Sequence, residues 1–284
     1  MHPTAEQRPA HCRPARNPTG PQDPRMSWNV AQYLRFAGPR LRPALDLLAQ
    51  VPADLDPTLA VDLGCGTGSA TQLIAARWPR AEVIGVDGSA EMLATAATQA
   101  NAGARVRWQQ ADIGSWRAPA PVDLIYSNAA LHWLPEHASL FPALIAQLAP
   151  GGVLAVQMPR NFDAPSHRLM HETARLEPWR ERLAPLITAP PVAEPGSYLA
   201  MLAPRVAALD IWETVYQQIL SGPDPVKEYT KGSWLNRFLQ ALPAAEAAAF
   251  EADYAARLRA AYPPLADGRT VFPFRRQFIV ARAA

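Results

Sequence analysis

This sequence predicts an α/β fold, a doubly wound and mostly parallel sheet of seven strands. Three observations predict it: β-rich runs of four to seven residues alternate with helical runs of about ten between Leu59 and Met158, a glycine-rich loop follows the first strand, and two long alternating runs close the chain. Short buried strands separated by helices are the mark of a parallel sheet covered on both faces.

The 284 residues suffice for a full core and carry a formal net charge of +2. Four Arg against Glu6 and Asp23 fall in the first 25 residues, so residues 26 to 284 sum to zero. A neutral body argues against nucleic acid as the main partner. No apolar run approaches the ~20 residues that span a bilayer, so no membrane partner and a cytoplasmic location are expected. Cys12 and Cys65 lack the nearby Cys or His that a zinc site or disulfide framework needs, and both read as free thiols.

Along the chain, residues 1–25 hold six prolines and almost no large apolar side chains, which predicts a disordered tail; Met26 then offers an alternative start. Leu41, Ala44, Leu45 and Leu48 have helical spacing, with Pro43 tolerable only in a first turn. Next come a strand at Leu59–Leu63, a helix at Ser69–Arg77, a strand at Glu82–Asp87, a helix at Ser89–Gln99 and a strand at Val106–Gln109. The series continues with a strand at Val122–Ser127, a helix at Pro135–Leu148 and a strand at Gly152–Met158. After Pro159 the rhythm changes. Residues 161–208 and 221–268 read as helical blocks, and Asp210–Leu220 and Thr270–Arg282 as the last two strands. The α/β core accordingly covers residues 26–160 with strands 209–220 and 270–282, and the two helical blocks are expected to form a lid.

The stretch "AVDLGCGTGSATQLI" carries the chemistry. A strand ending in Asp62 runs into Gly64, Gly66 and Gly68, where the backbone can turn tightly and meet a ligand without a Cβ in the way. The helix from Ser69 then presents its free N–H groups. The dinucleotide fingerprint is G-x-G-x-x-G, whereas this loop is G-x-G-x-G with an acid two residues before it. Asp62 would repel a pyrophosphate but accept from an ammonium group, as on the methionine part of S-adenosylmethionine. Asp87 ends the second strand, where an acid can bind ribose hydroxyls. Asp112 follows the third strand, where a carboxylate can take an adenine amino group.

The ordered set "VDLGCGTG", "VIGVDGS", "QADI" and "DLIYSNAALHWL" resembles class I S-adenosylmethionine-dependent methyltransferases, a Rossmann-like superfamily. The flanking stretches "SWNVAQYLRF", "LFPALIAQLAPGGVLAVQMPRN", "LDIWETVY" and "FPFRRQFIVAR" are similar to the trans-aconitate 2-methyltransferase family over nearly all of residues 26–282. The resemblance implies S-adenosylmethionine as cofactor, with Asp62, Gly64, Gly66 and Gly68 on its amino-acid part, Asp87 and Gly88 at the ribose, Asp112 and Ile113 around adenine, and Asn128 beside the methionyl group. It also implies methyl transfer to a carboxylate of a small acid, trans-aconitate, by a monomer or homodimer. A related acid, a malonyl thioester or a non-catalytic cofactor-binding module are the alternatives. The chain departs from the family in its N-terminal tail, in "LHW" and from Glu177 to Arg205.

An ionised carboxylate needs no general base, so no catalytic proton-transfer residue is expected. Its non-reacting carboxylates need cations, and arginine suits them. Arg276 shares a strand face with Phe274 and Phe278 at the ligand end of the last strand, and the alternative is a pairing with a protein acid. Arg160, Arg275 and Lys231 are further candidates, and Tyr33, Trp28, His132 and Trp133 are candidate pocket walls, with ordinary core packing as the alternative. His167 and His171 have i, i+4 spacing but no evident third ligand, so no metal is expected.

Overall fold

The computed structural model describes residues 37–98 and 105–284. Its strands are β1 (Leu59–Leu63), β2 (Glu82–Asp87), β3 (Val106–Gln110), β4 (Val122–Asn128), β5 (Leu148–Pro159), β6 (Ala208–Leu220) and β7 (Thr270–Arg282). They form one sheet in the order β3-β2-β1-β4-β5-β7-β6. Strands β1 to β5 run parallel, and β7 is antiparallel to both β5 and β6. The order reverses between β1 and β4, which in such sheets opens a crevice at the carboxyl ends of the strands.

Helix α1 (Ala37–Gln50) and helix α2 (Ser69–Arg77) cover one face. Ala44, Leu47, Leu48 and Val51 are buried there at helical spacing, together with Ile74, Trp78, Val83, Leu124 and Phe278. Tyr126 donates to Ala44 O at 2.7 Å and Tyr216 to Asp46 Oδ2 at 2.6 Å, so α1 is tied to β4 and β6. Pro43 lies inside α1, beyond the first turn in which it was expected. It removes one N–H from the helical ladder, and the buried contacts of the following turns outweigh that loss.

Past β2 comes helix α3 (Ala90–Thr98), and past β4 helix α4 (His137–Ile145), shorter at both ends than the expected Pro135–Leu148. Residues 148–150 belong instead to β5, whose pairing with β4 shifts register between Val122 and Leu124. Helices α5 (Pro165–Ala174), α6 (Arg180–Leu183) and α7 (Pro195–Leu202) lie in the segment between β5 and β6. Helices α8 (Pro225–Lys231), α9 (Trp234–Leu239) and α10 (Ala244–Ala261) lie between β6 and β7.

The last two strands outrun the sheet. Arg276 faces Pro159, the end of β5, and Thr214 of β6, whereas the β6–β7 ladder continues to Leu220 and Thr270. The ribbon therefore projects roughly 20 Å beyond β5. Pro273 sits in this overhang, where β7 has a neighbour on one side only, a position that tolerates a missing N–H. Leu220, Phe272 and Phe274 of the overhang are buried with Met170, Leu183, Leu235, Phe250 and Tyr254 in a core of their own. The helices between β6 and β7 thus pack on an extension of the sheet. Only part of 161–208 joins it: Val192, Tyr198 and Leu202 return to the main core beside α4 and β5.

Candidate functional site

The loop after β1 is held by backbone bonds before any side chain acts. Gly64 and Cys65 both donate to Val86 O, at 2.8 and 3.0 Å. Gly64, Gly66 and Gly68 have φ of 75°, 54° and 81°, in the left-handed region that favours glycine. Their surroundings separate them. A Cβ on Gly64 would lie 2.1 Å from the Ala130 Cβ, and one on Gly68 would lie 2.5 Å from the Trp108 ring. A Cβ on Gly66 would meet nothing within 4 Å. Two of the three glycines therefore serve close packing, and Gly66 alone borders open space.

Asp87 anchors that open rim. Its Oδ2 accepts the Gly66 N–H and its Oδ1 the Ser89 N–H, both at 2.8 Å, which leaves each oxygen a lone pair for another donor. Asp62 is buried and accepts from Thr71 Oγ1 at 2.6 Å, so one oxygen is turned onto the first turn of α2. Burial pushes its carboxyl up to about 7, the Thr71 bond opposes the shift and the nearby Asp87 charge adds to it. Asp112 is exposed, with Oδ1 accepting from Gly114 N at 3.1 Å and Oδ2 from Ser115 Oγ at 2.8 Å. Ile113 reaches the loop beside Gly64, and Gly88 borders Ala111 O. Asn128, the last residue of β4, has a buried Oδ1 with no hydrogen-bond partner. Cys65 is a buried free thiol, and burial drives its pKa upward, which makes it a poor nucleophile.

Beyond the ends of β4 and β5, against β7, lies a cavity. The sheet contributes Asn128, Pro159, Phe274 and Arg276, the turn after β4 contributes Ala129, His132 and Trp133, and the segments after β5 and β6 contribute Phe162, His167, Tyr229 and Trp234. Ala129 holds a φ of 55° while its N–H donates to Gln157 O at 2.9 Å, a strained backbone position for a residue with a Cβ. His137 bonds Tyr198 Oη at 2.6 Å and Leu131 O at 3.0 Å, which fixes the turn bearing His132 and Trp133. Trp133 stacks on Trp234 at 5.2 Å between centroids, so core and lid meet in one aromatic roof.

Arg276 is the one Lys or Arg among the residues lining this cavity. It is 4% exposed, its Nη1 donates to Gln157 Oε1 at 3.2 Å, its guanidinium lies 4.8 Å from the Phe274 ring centroid, and its Nε has no partner. Among the described residues no carboxylate lies within ion-pair distance of it. His132 is buried with Nδ1 unpartnered. Burial above all, then the charge of Arg276 and the neighbours His137 and His167, push it down to about 3, so it is neutral at pH 7.

The other candidates are placed differently. Arg160 is buried but already committed to Glu213 at 2.7 Å and to Glu194, and it does not line the cavity. Arg275 alternates to the opposite sheet face and pairs with Asp163 at 3.4 Å. Lys231 bonds both oxygens of Glu251, at 2.7 and 2.9 Å. These three charges are spent on the protein's own acids. His171 packs against Phe238 instead of sharing a site with His167, and no metal-binding cluster occurs among the described residues. Trp28 and Tyr33 lie outside the described residues. Sequence reasoning missed Asn161, Phe162, Tyr229 and Trp234. Position just past a strand end would have flagged Asn161 and Phe162, whereas nothing local distinguishes Tyr229 or Trp234.

A family profile described as a methyltransferase domain matches residues 60–152. The chain is 49% identical over 255 residues to trans-aconitate 2-methyltransferase of Azoarcus sp. (strain BH72), covering 90% of this chain and 98% of that protein. It is 50% identical over 264 residues to the protein of the same name from Streptomyces coelicolor, covering 90% and 86%. The fold is similar to the YcgJ protein of Bacillus subtilis, with a TM-score of 0.54 at 17% identity, over 85% of this chain and 98% of that one. With near-complete coverage of relatives at about half identity, the chain belongs to the trans-aconitate 2-methyltransferase family of S-adenosylmethionine-dependent methyltransferases.

Proposed function

We propose that this protein methylates a carboxylate of trans-aconitate, giving the monomethyl ester and S-adenosylhomocysteine. The observation that carries the reading is Arg276, a buried guanidinium that faces a cavity at the ligand end of the sheet with no carboxylate partner among the described residues. A buried cation left without a partner costs several kcal/mol, so its retention points to an anion that arrives with the substrate.

The residues at the crevice suit S-adenosylmethionine. Space is open in front of Gly66, the Asp87 oxygens keep lone pairs for a diol, and the unpartnered Asn128 Oδ1 and the buried Asp62 provide acceptors on the side where an ammonium would lie. A positive group there offsets the burial cost that holds Asp62 near neutrality. We assign Gly66, Asp87 and Gly88 to the ribose side, Asp112 and Ile113 to the adenine side, and Asn128 with Asp62 to the methionyl side. Gly64 and Gly68 shape the loop. When bound, the cofactor supplies the methyl group on a sulfonium, ready for in-line displacement.

The protein's part is binding, orientation and exclusion of water. A carboxylic acid of pKa ~4 is ionised at pH 7, and neutral His132 has no proton to remove from it. Arg276 holds a non-reacting carboxylate, which fixes the position of the reacting one. Trp133, Phe162, Trp234 and Phe274 wall the cavity with apolar surface and remove water from the nucleophile. Positioning of this kind supplies a large share of a displacement barrier.

The test is mass-resolved product detection with methyl-labelled S-adenosylmethionine and trans-aconitate. Appearance of one labelled methyl on the acid, removed again by mild ester hydrolysis, is the expected result. Bound cofactor with no labelled ester from trans-aconitate refutes the reading.

A further inference from the structure

Among the described residues the cavity has one permanent cation, yet an acid with three carboxylates leaves two that are not methylated. A second group must answer the second charge. His167, on α5, is buried and lines the cavity on the lid side, whereas Arg276 lines it on the sheet side. Its Nδ1 meets Ser166 Oγ at 3.2 Å, and the backbone of Asn161 also engages the ring. The rings of Phe162 and Trp234 pack edge-on, with centroids 5.2 and 6.3 Å away, and hold the imidazole in place.

Building on the polycarboxylate reading above, we propose that His167 is the second anion-binding group of the pocket and takes up a proton from solvent as the acid enters. The pocket then holds one cationic side chain when empty and two when filled.

Several groups face His167. His171 is one turn along α5, Asp163 precedes the helix, Ser166 is adjacent with its backbone bonded by Tyr254 and Tyr262, and His132 and Arg276 lie across the cavity. Burial first, then His171, push His167 down to about 4, while Asp163 and the Asn161 backbone favour the proton. A carboxylate brought to ~4 Å of a buried imidazole raises its proton affinity about a thousandfold. That brings His167 to the range in which it titrates near neutral pH. His132 suits the task less, because Arg276, His137 and His167 all oppose a charge on it and none of its resolved neighbours favours one. Its unpartnered Nδ1 remains a neutral hydrogen-bonding group.

Calorimetry counts the proton. The full chain, saturated with S-adenosylhomocysteine, is titrated with trans-aconitate at pH 6, 7 and 8 in two buffers of different ionisation enthalpy. Wild type should take up a substantial fraction of a proton at pH 7, more at pH 6 and little at pH 8. His167→Gln should lose that uptake and weaken acid binding about tenfold, with S-adenosylhomocysteine affinity unchanged as evidence of folding. His171→Gln, which removes a neighbour that opposes the charge, should keep the uptake. Binding by wild type without uptake overturns this inference and leaves the substrate reading intact, as does uptake that persists in His167→Gln. Absence of trans-aconitate binding overturns both. Should His167→Gln fail to fold, His167→Asn takes its place, with the same loss of uptake expected and persistence of uptake again overturning the inference.

Discussion

Replacing Arg276 by methionine, which keeps much of its volume, should separate binding from stability. Removing one partner of a desolvated charge pair costs about 2–5 kcal/mol, and about 3 kcal/mol corresponds to a KM for trans-aconitate raised roughly 150-fold. The protein itself loses the Gln157 hydrogen bond and the contact with Phe274, together worth about 2 kcal/mol. It also sheds a buried cation with no acid beside it, whose burial costs several kcal/mol. The two effects oppose each other, so Arg276→Met should melt within a few degrees of wild type or above it. Initial-rate kinetics with varied acid, S-adenosylhomocysteine calorimetry and thermal melting read the three quantities. A clear fall in Tm with KM unchanged would show that Arg276 is a structural residue and that the reasoning is wrong.

Other consequences follow from the loop and its acids. Gly66→Ala faces open space and should cost only about 1–2 kcal/mol of stability for its positive φ, yet weaken S-adenosylhomocysteine at least tenfold; Gly68→Ala adds a clash with Trp108 and should lower Tm further, both read by melting and calorimetry. Asp87→Ala frees the Gly66 and Ser89 N–H groups and should weaken the cofactor product about 10- to 100-fold, with the order of preference among acids unchanged in competition assays. Asp62 has a carboxyl raised from 3.8 to about 7, so this group binds its proton more tightly in the folded protein and its own contribution to ligand-free stability falls as pH rises from 4 to 7, whereas His132 and His167, pushed down to about 3 and about 4, contribute the opposite slope. Asp62→Asn should therefore make ligand-free stability rise more steeply with pH in melts over that range, and an unchanged profile would show that Asp62 does not titrate there.

Much of the sheet was legible because its signals are local. Of the first five strands all but β3 carry a short apolar run next to a helix or turn signal, and the loop from Asp62 to Gly68 states its own conformation through glycine. Arg276 was legible too, since the period of a strand puts it with Phe274 and Phe278 on one face and Arg275 on the other. What escaped depends on partners distant in sequence. Arg160 has the right edge position, but Glu194 and Glu213, 34 and 53 residues further on, neutralise it. The overhang of β6 and β7 follows from strand lengths compared across the sheet, and no single segment announces it. The i, i+4 spacing of His167 and His171 likewise does not say which ring meets the cavity: the helix turns one to it and the other against Phe238.

The account rests on recognition of the carboxylates that do not react. Its most direct test compares kcat/KM for trans-aconitate with that for mesaconate, glutaconate and itaconate, each of which lacks a different one of its carboxylates, in wild type and in Arg276→Met. Whichever carboxylate accepts the methyl, two of the three diacids retain it. Wild type should prefer trans-aconitate over those two about a hundredfold, the worth of a lost charge contact, and Arg276→Met should erase most of the preference for the one whose missing carboxylate Arg276 binds. Equal preference in wild type, or a preference that survives Arg276→Met undiminished for all three diacids, would contradict it.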